Sequence, residues 1–162
     1  MSPAPKIPED EPEDSFRAFD GRQSPIAAAV QRGCARLLGM MNYAPVTELT
    51  LATGRRADMI ALGPKGEIII IEIKSSVADY QADSKWEDYL EFCDRFFFAV
   101  PAEFPAELLP EDVGYIIADK FGAEILREGA HDRKLAPARR KALTQLFARV
   151  AARRVMRFLD PE

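Results

Sequence analysis

The chain has 162 residues, 48% hydrophobic and 30% charged, which suits one compact globular domain and falls short of two. No apolar run approaches the roughly 18 residues that span a bilayer, so a membrane partner is not expected. The net charge of −4 weighs against general nucleic-acid affinity, but the charge is segregated: residues 133–157 carry nine bases and no acid, and a local basic face can still hold phosphates.

In chain order, residues 1–20 are rich in Pro, Glu and Asp. They offer little apolar surface to offset ordering entropy, so a disordered acidic tail is expected there, followed by a single domain over 21–162. This start has neither the charged-then-apolar layout of a signal peptide nor that of a transit peptide, and a cytoplasmic protein is expected. The two cysteines, Cys34 and Cys93, lie far apart and have no metal-ligand spacing; a disulfide between them stays open. A helix is predicted from Ser24 as N-cap and Pro25 in the first turn to Met41, with Ile26, Val30, Cys34, Leu37, Leu38 and Met41 on one face.

Three strands follow at hairpin spacing: 45–52, 56–63 and 67–75. The second and third are joined by the tight turn "GPKG", and the four consecutive isoleucines of "EIIIIEIKS" predict burial on both faces. An antiparallel meander with its last strand in the sheet centre is expected. Residues 78–92 read as a loop and then a helix, and "DRFFFAVP" (94–101) as a fourth strand. A Pro-bounded turn, a strand, a turn at 120–122 and a further strand come next. A long amphipathic helix over about 137–158 closes the chain, with Leu143, Leu146, Phe147, Val150, Ala151, Val155 and Phe158 as its apolar face. The order is that of an α/β layer around one sheet.

Within these strands, Asp58, Glu72 and Lys74 stand out. Residues i and i+2 of a strand share a face, so Glu72 and Lys74 project together while Ile71 and Ile73 project oppositely. The hairpin brings Asp58 near Glu72. Two carboxylates a few ångströms apart repel unless a divalent cation neutralises them, and Mg²⁺ favours carboxylate and water oxygens. Such a cation can activate water and stabilise charge on a phosphoryl oxygen, while a neighbouring lysine can orient the attacking water. The arrangement points to metal-assisted phosphodiester hydrolysis. The competing reading is an exposed strand end with a surface ion pair contributing about 0–1 kcal/mol.

The "RAD…EIK" elements, preceded and followed by a helix, resemble the PD-(D/E)XK nuclease superfamily, with Ala57 where the eponymous motif has proline. The stretches "GRRADMIAL", "EIKSSVADYQADSKWEDYLEFCDRFFFAVP", "LLPEDVGYIIAD" and "AEILRE…KLAPARRKAL" resemble, more narrowly, the MmcB-like family of DNA repair endonucleases, over roughly residues 24–157. The resemblance implies a restriction-endonuclease-like core, a mixed sheet flanked by helices, and a Mg²⁺ or Mn²⁺ cofactor. It also implies catalytic roles for Asp58, Glu72 and Lys74, with Asp58, Glu72 and the main-chain carbonyl of Ile73 as metal ligands. Many nucleases of this superfamily place an upstream acid on the first helix, and here residues 24–41 contain none. Glu48 is the nearest substitute, joining the metal shell directly or through water.

DNA is the expected partner, in a nucleoid-associated setting, with a homodimer and other DNA repair proteins as further partner expectations. Arg55, Arg56 and Lys85, together with Arg139, Arg140 and Lys141 of the basic final helix, are the candidate phosphate contacts. Trp86 and Tyr89 suit packing of the second helix better than stacking on an unpaired base. His131 is the only histidine and lies in a loop-like stretch, which argues against His-metal chemistry and Ser–His–Asp triads. No P-loop is present, which argues against an NTPase. The alternative function is a nuclease-fold DNA-binding or adaptor protein that does not cleave, and a weaker third is RNA cleavage.

Overall fold

The computed structural model describes residues 23–130 and 134–161. The expected acidic tail, His131 and Arg133 lie outside the described residues. Helix α1 (Pro25–Met40) starts as predicted: the Ser24 side chain accepts a hydrogen bond from the Ala27 amide at 3.1 Å and Pro25 occupies the first turn. Strands β1 (Ala44–Thr50), β2 (Arg56–Leu62) and β3 (Ile68–Ile73) form the antiparallel meander. The β2–β3 turn closes with Gly66 at a φ of +87°, a left-handed conformation that glycine adopts at no steric cost.

Strands β4 (Arg95–Val100) and β5 (Gly114–Ala118) add in parallel to β3 and to each other, and β6 (Ala123–Arg127) returns antiparallel. The sheet order is β1-β2-β3-β4-β5-β6, so β3 is internal and every one of its residues is buried. Its isoleucines divide between two cores. Ile69, Ile71 and Ile73 meet Val30, Cys34 and Leu38 of α1 and Phe97 of β4. Ile68 and Ile70 meet Tyr89, Phe96 and Phe98, together with Leu143, Phe147 and Val150 of α3 (Pro137–Leu159). This is the mixed, helix-flanked α/β fold expected of a nuclease-like core.

Three expectations are corrected. Residues 78–92 do not form a loop followed by a helix: α2 (Val77–Ala82) comes first, then a 3₁₀ helix over Trp86–Phe92. The signal was the sequence "SVAD", in which Ser76 caps the Asp79 amide while Asp79 reaches back to the Ser75 amide, a close variant of the capping box. The apolar face of α3 also ends early, since Val155 and Phe158 are exposed, Phe158 by 86%. Ile26, assigned to the packed face of α1, is likewise exposed. Cys34 and Cys93 are free thiols buried in the two different cores, so the sheet separates them; burial pushes each thiol up to about 12. No helix among the described residues is long and apolar enough to cross a membrane.

Candidate active site

Strands β2 and β3 pair in register as far as Met59 and Ile71, where the regular pairing stops. Beyond it the carboxyl groups take over the hydrogen bonding. Glu72 Oε1 accepts from the Asp58 amide at 3.0 Å, and Asp58 Oδ2 accepts from the Ile73 amide at 2.8 Å. Each acid thus satisfies an amide on the other strand and is held by it. One oxygen of each is spent in this clasp, which leaves Asp58 Oδ1 and Glu72 Oε2 as the atoms that can face a cation.

Burial pushes the Glu72 carboxyl well above its ordinary value of 4.5, and the neighbouring Asp58 charge adds to that; the Asp58 amide and the Lys74 ammonium pull the other way. Burial also raises Asp58 above 3.8, against the Ile73 amide, the Lys74 charge and a hydrogen bond with Glu72. Two carboxyl groups that both resist ionisation in one cleft form a donor set suited to a divalent cation. Among the described residues no three His, Cys, Asp or Glu side chains gather as a ligand cluster. A shell around the pair therefore needs the Ile73 carbonyl, water, or both.

Lys74 is 5% exposed and Glu72 4%, so the surface ion-pair reading does not apply. Lys74 Nζ donates to Asp83 Oδ2 at 2.9 Å. Burial pushes Asp83 up, but the hydrogen bonds from Lys74 and from the Lys85 amide outweigh it and hold the carboxyl below its ordinary value. Asp83 closes α2, so the second helix brings the lysine its counter-ion. This partner went unassigned in the sequence, although it stands nine residues after Lys74 in the same "EIKSSVADYQAD" stretch.

The acids open into a cleft of about 370 Å³, walled by Gln23, Ser24 and Ala27 at the start of α1, by Glu48 and Arg56, and by Ser75 and Asp79 at the start of α2. Glu48 lies across from Asp58 in β1, and its Oε1 is 3.9 Å from Arg56 Nη2. Of the candidate phosphate contacts, Arg56, Lys85 and Lys141 are exposed. Arg55 lies over the Tyr89 ring and pairs with Asp88 at 3.2 Å. Arg139 pairs with Glu91 at 3.1 Å. Arg140 makes a two-pronged pair with Asp94, 2.7 Å on each arm, and also donates to the Gly66 carbonyl. Its guanidinium is therefore engaged in holding the fold, on the far side of the sheet's end from the acids. Trp86 stacks on Phe96 and Tyr89 is buried, with its hydroxyl donating to the Arg56 carbonyl at 2.9 Å; both aromatics serve packing, as expected.

The family model described as DNA repair protein MmcB-like matches residues 14–162. A solved structure of a protein of unknown function from Silicibacter pomeroyi is similar at 53% identity, over 85% of this chain and 94% of that one, with a TM-score of 0.81. A repair endonuclease from Pyrococcus abyssi is similar at 16% identity, over 64% of this chain and 50% of that one, with a TM-score of 0.39, a likeness too slight to bear on function. No curated protein matches the chain.

Proposed function

The chain belongs to the MmcB-like family of DNA repair proteins, and on that premise we propose that it is a metal-dependent nuclease that hydrolyses phosphodiester bonds of damaged or structured DNA. The observation that carries this reading is the reciprocal clasp of Asp58 and Glu72: two desolvated carboxyl groups that line a common cleft. Asp58 and Glu72 would hold Mg²⁺ or Mn²⁺ with the Ile73 carbonyl, and Glu48 would join through water. The ion, when bound, supplies a lowered pKa for water and relief of charge on the phosphoryl group.

The chain's own residues do the rest. Lys74 stands beside the acids with its ammonium oriented by Asp83, where it can position a water and offset charge developing on phosphorus. Arg56 at the rim can meet the approaching phosphate. Asp58→Asn, which keeps an oxygen for the Ile73 amide, should abolish Mg²⁺- or Mn²⁺-dependent cleavage of duplex, flapped and branched DNA with the fold intact. Retained cleavage would remove Asp58 from the mechanism.

One observation favours a second reading, a DNA-binding adaptor that does not cleave: among the described residues no third carboxylate closes on the pair. Salt-sensitive binding of every substrate without cleavage, with either metal, would select it.

A further inference from the structure

Strand β1 is interrupted where it faces the acids. Thr47 pairs with Met59 and Leu49 with Ala57, but Glu48, between them and opposite Asp58, is not paired. Its φ is +52°, a left-handed conformation that residues other than glycine rarely adopt and that local structure must impose. No tight turn accounts for it, since Glu48 lies inside the strand.

Arg154 accounts for it. Its Nη1 donates to the Thr47 carbonyl and its Nη2 to the Glu48 carbonyl, the latter at 3.0 Å. In a regular strand successive carbonyls point to opposite sides, so one planar guanidinium can take both only if the backbone between them is turned. β1 is an edge strand, and among the described residues its outer flank has no sheet partner to compete for these carbonyls. The same turn leaves the Glu48 side chain in the cleft with Asp58 and Glu72.

We infer that Arg154 is a positioning residue for the candidate metal site, holding the Thr47–Glu48 backbone in its turned form so that the Glu48 carboxylate stands at the cleft. The inference rests on the nuclease reading for its consequence in metal binding, but not for the backbone geometry. It ties the basic C-terminal helix to the acids across 106 residues of sequence. Outer-shell groups of this kind change metal affinity by about 10–100-fold.

The test uses the full chain and two readouts. In titration calorimetry with Mn²⁺, Arg154→Ala should weaken binding about ten-fold, Glu48→Gln should do the same, and the double variant should be no weaker than Glu48→Gln alone. In the metal-free protein, the backbone ¹³C shifts of Glu48 should report the left-handed conformation, and Arg154→Ala should abolish that signature. Arg154→Met, which keeps the aliphatic stem, answers both questions if Arg154→Ala does not fold. Undiminished Mn²⁺ affinity in the Arg154 variants, additive losses in the double variant, or a persisting left-handed signature would each overturn the inference. If the unaltered protein takes up no Mn²⁺, the nuclease reading fails, and the shift signature alone decides the role of Arg154.

Discussion

At the scale of single residues, the clasp between Asp58 and Glu72 has a thermodynamic consequence that needs no substrate. An acid whose folded value lies above its ordinary one binds its proton more tightly in the native state. The stability it contributes is fully present below about pH 4.5 for Glu72 and is lost as pH rises through the folded value. Without metal, burying the Glu72 carboxyl therefore costs the fold more as pH rises above 4.5. Glu72→Gln keeps an oxygen for the Asp58 amide and removes the charge. In EDTA it should raise stability by about 0.5–2 kcal/mol at neutral pH, and the gain should vanish as pH falls to 4.5. Added Mn²⁺ should then raise the midpoint of the unaltered protein and not that of the variant. Thermal unfolding across pH checks all three, and a variant no more stable than its parent in EDTA at neutral pH would contradict the desolvation argument.

At the scale of elements, α1 shows how packing sets the sign of one substitution. A Cβ at Gly33 would collide with the main-chain carbonyls of Asp119 and Gly122, which hold the β5–β6 turn, whereas one at Gly39 would meet nothing within 4 Å. Gly33→Ala should cost about 1–3 kcal/mol by overpacking against backbone that cannot step aside. Gly39→Ala should gain about 0.4–1 kcal/mol from helix propensity and a less free unfolded chain. Urea unfolding of the two variants would show opposite signs, and a stabilised Gly33→Ala would mean that the turn yields. The same contrast explains what was legible in the sequence. Ser24–Pro25, the "GPKG" turn and the isoleucine run are local signals, and α1, the hairpin and the buried β3 follow from them. The pairing of Asp58 with Glu72 was also legible, because strand period and turn length suffice to set it. The turned backbone at Glu48 was not, because its cause, Arg154, lies on another element. The engagement of Arg140 was hidden for the same reason: its partner Asp94 is 46 residues away, and a count of bases cannot see it.

At the scale of the whole molecule, the sheet is fastened at one end and open at the other. Asp94, just before β4, accepts from the Ile68 amide at the start of β3, from the Leu135 amide ahead of α3, and from both arms of Arg140 on α3. The cleft lies at the other end of β3, roughly 13 Å away from Ile68 to Glu72 at about 3.3 Å per residue. Burial pushes the Asp94 carboxyl up, but the hydrogen bonds from Arg140, Ile68 and Leu135 outweigh it and hold the group below its ordinary 3.8. Its stabilisation is therefore present above pH 3.8 and is lost as pH falls through the lower, folded value. Asp94→Asn keeps the shape but gives up the charge-assisted bonds, and should cost about 2–3 kcal/mol at neutral pH. The gap to the unaltered protein should narrow as pH drops below 3.8. Because the two ends share no side-chain partner among the described residues, Mn²⁺ affinity should stay within about two-fold of the original in the folded variant. Calorimetric unfolding against pH, paired with Mn²⁺ titration, tests the separation. A large loss of metal affinity in Asp94→Asn would show that the fastened end also sets the geometry of the open one.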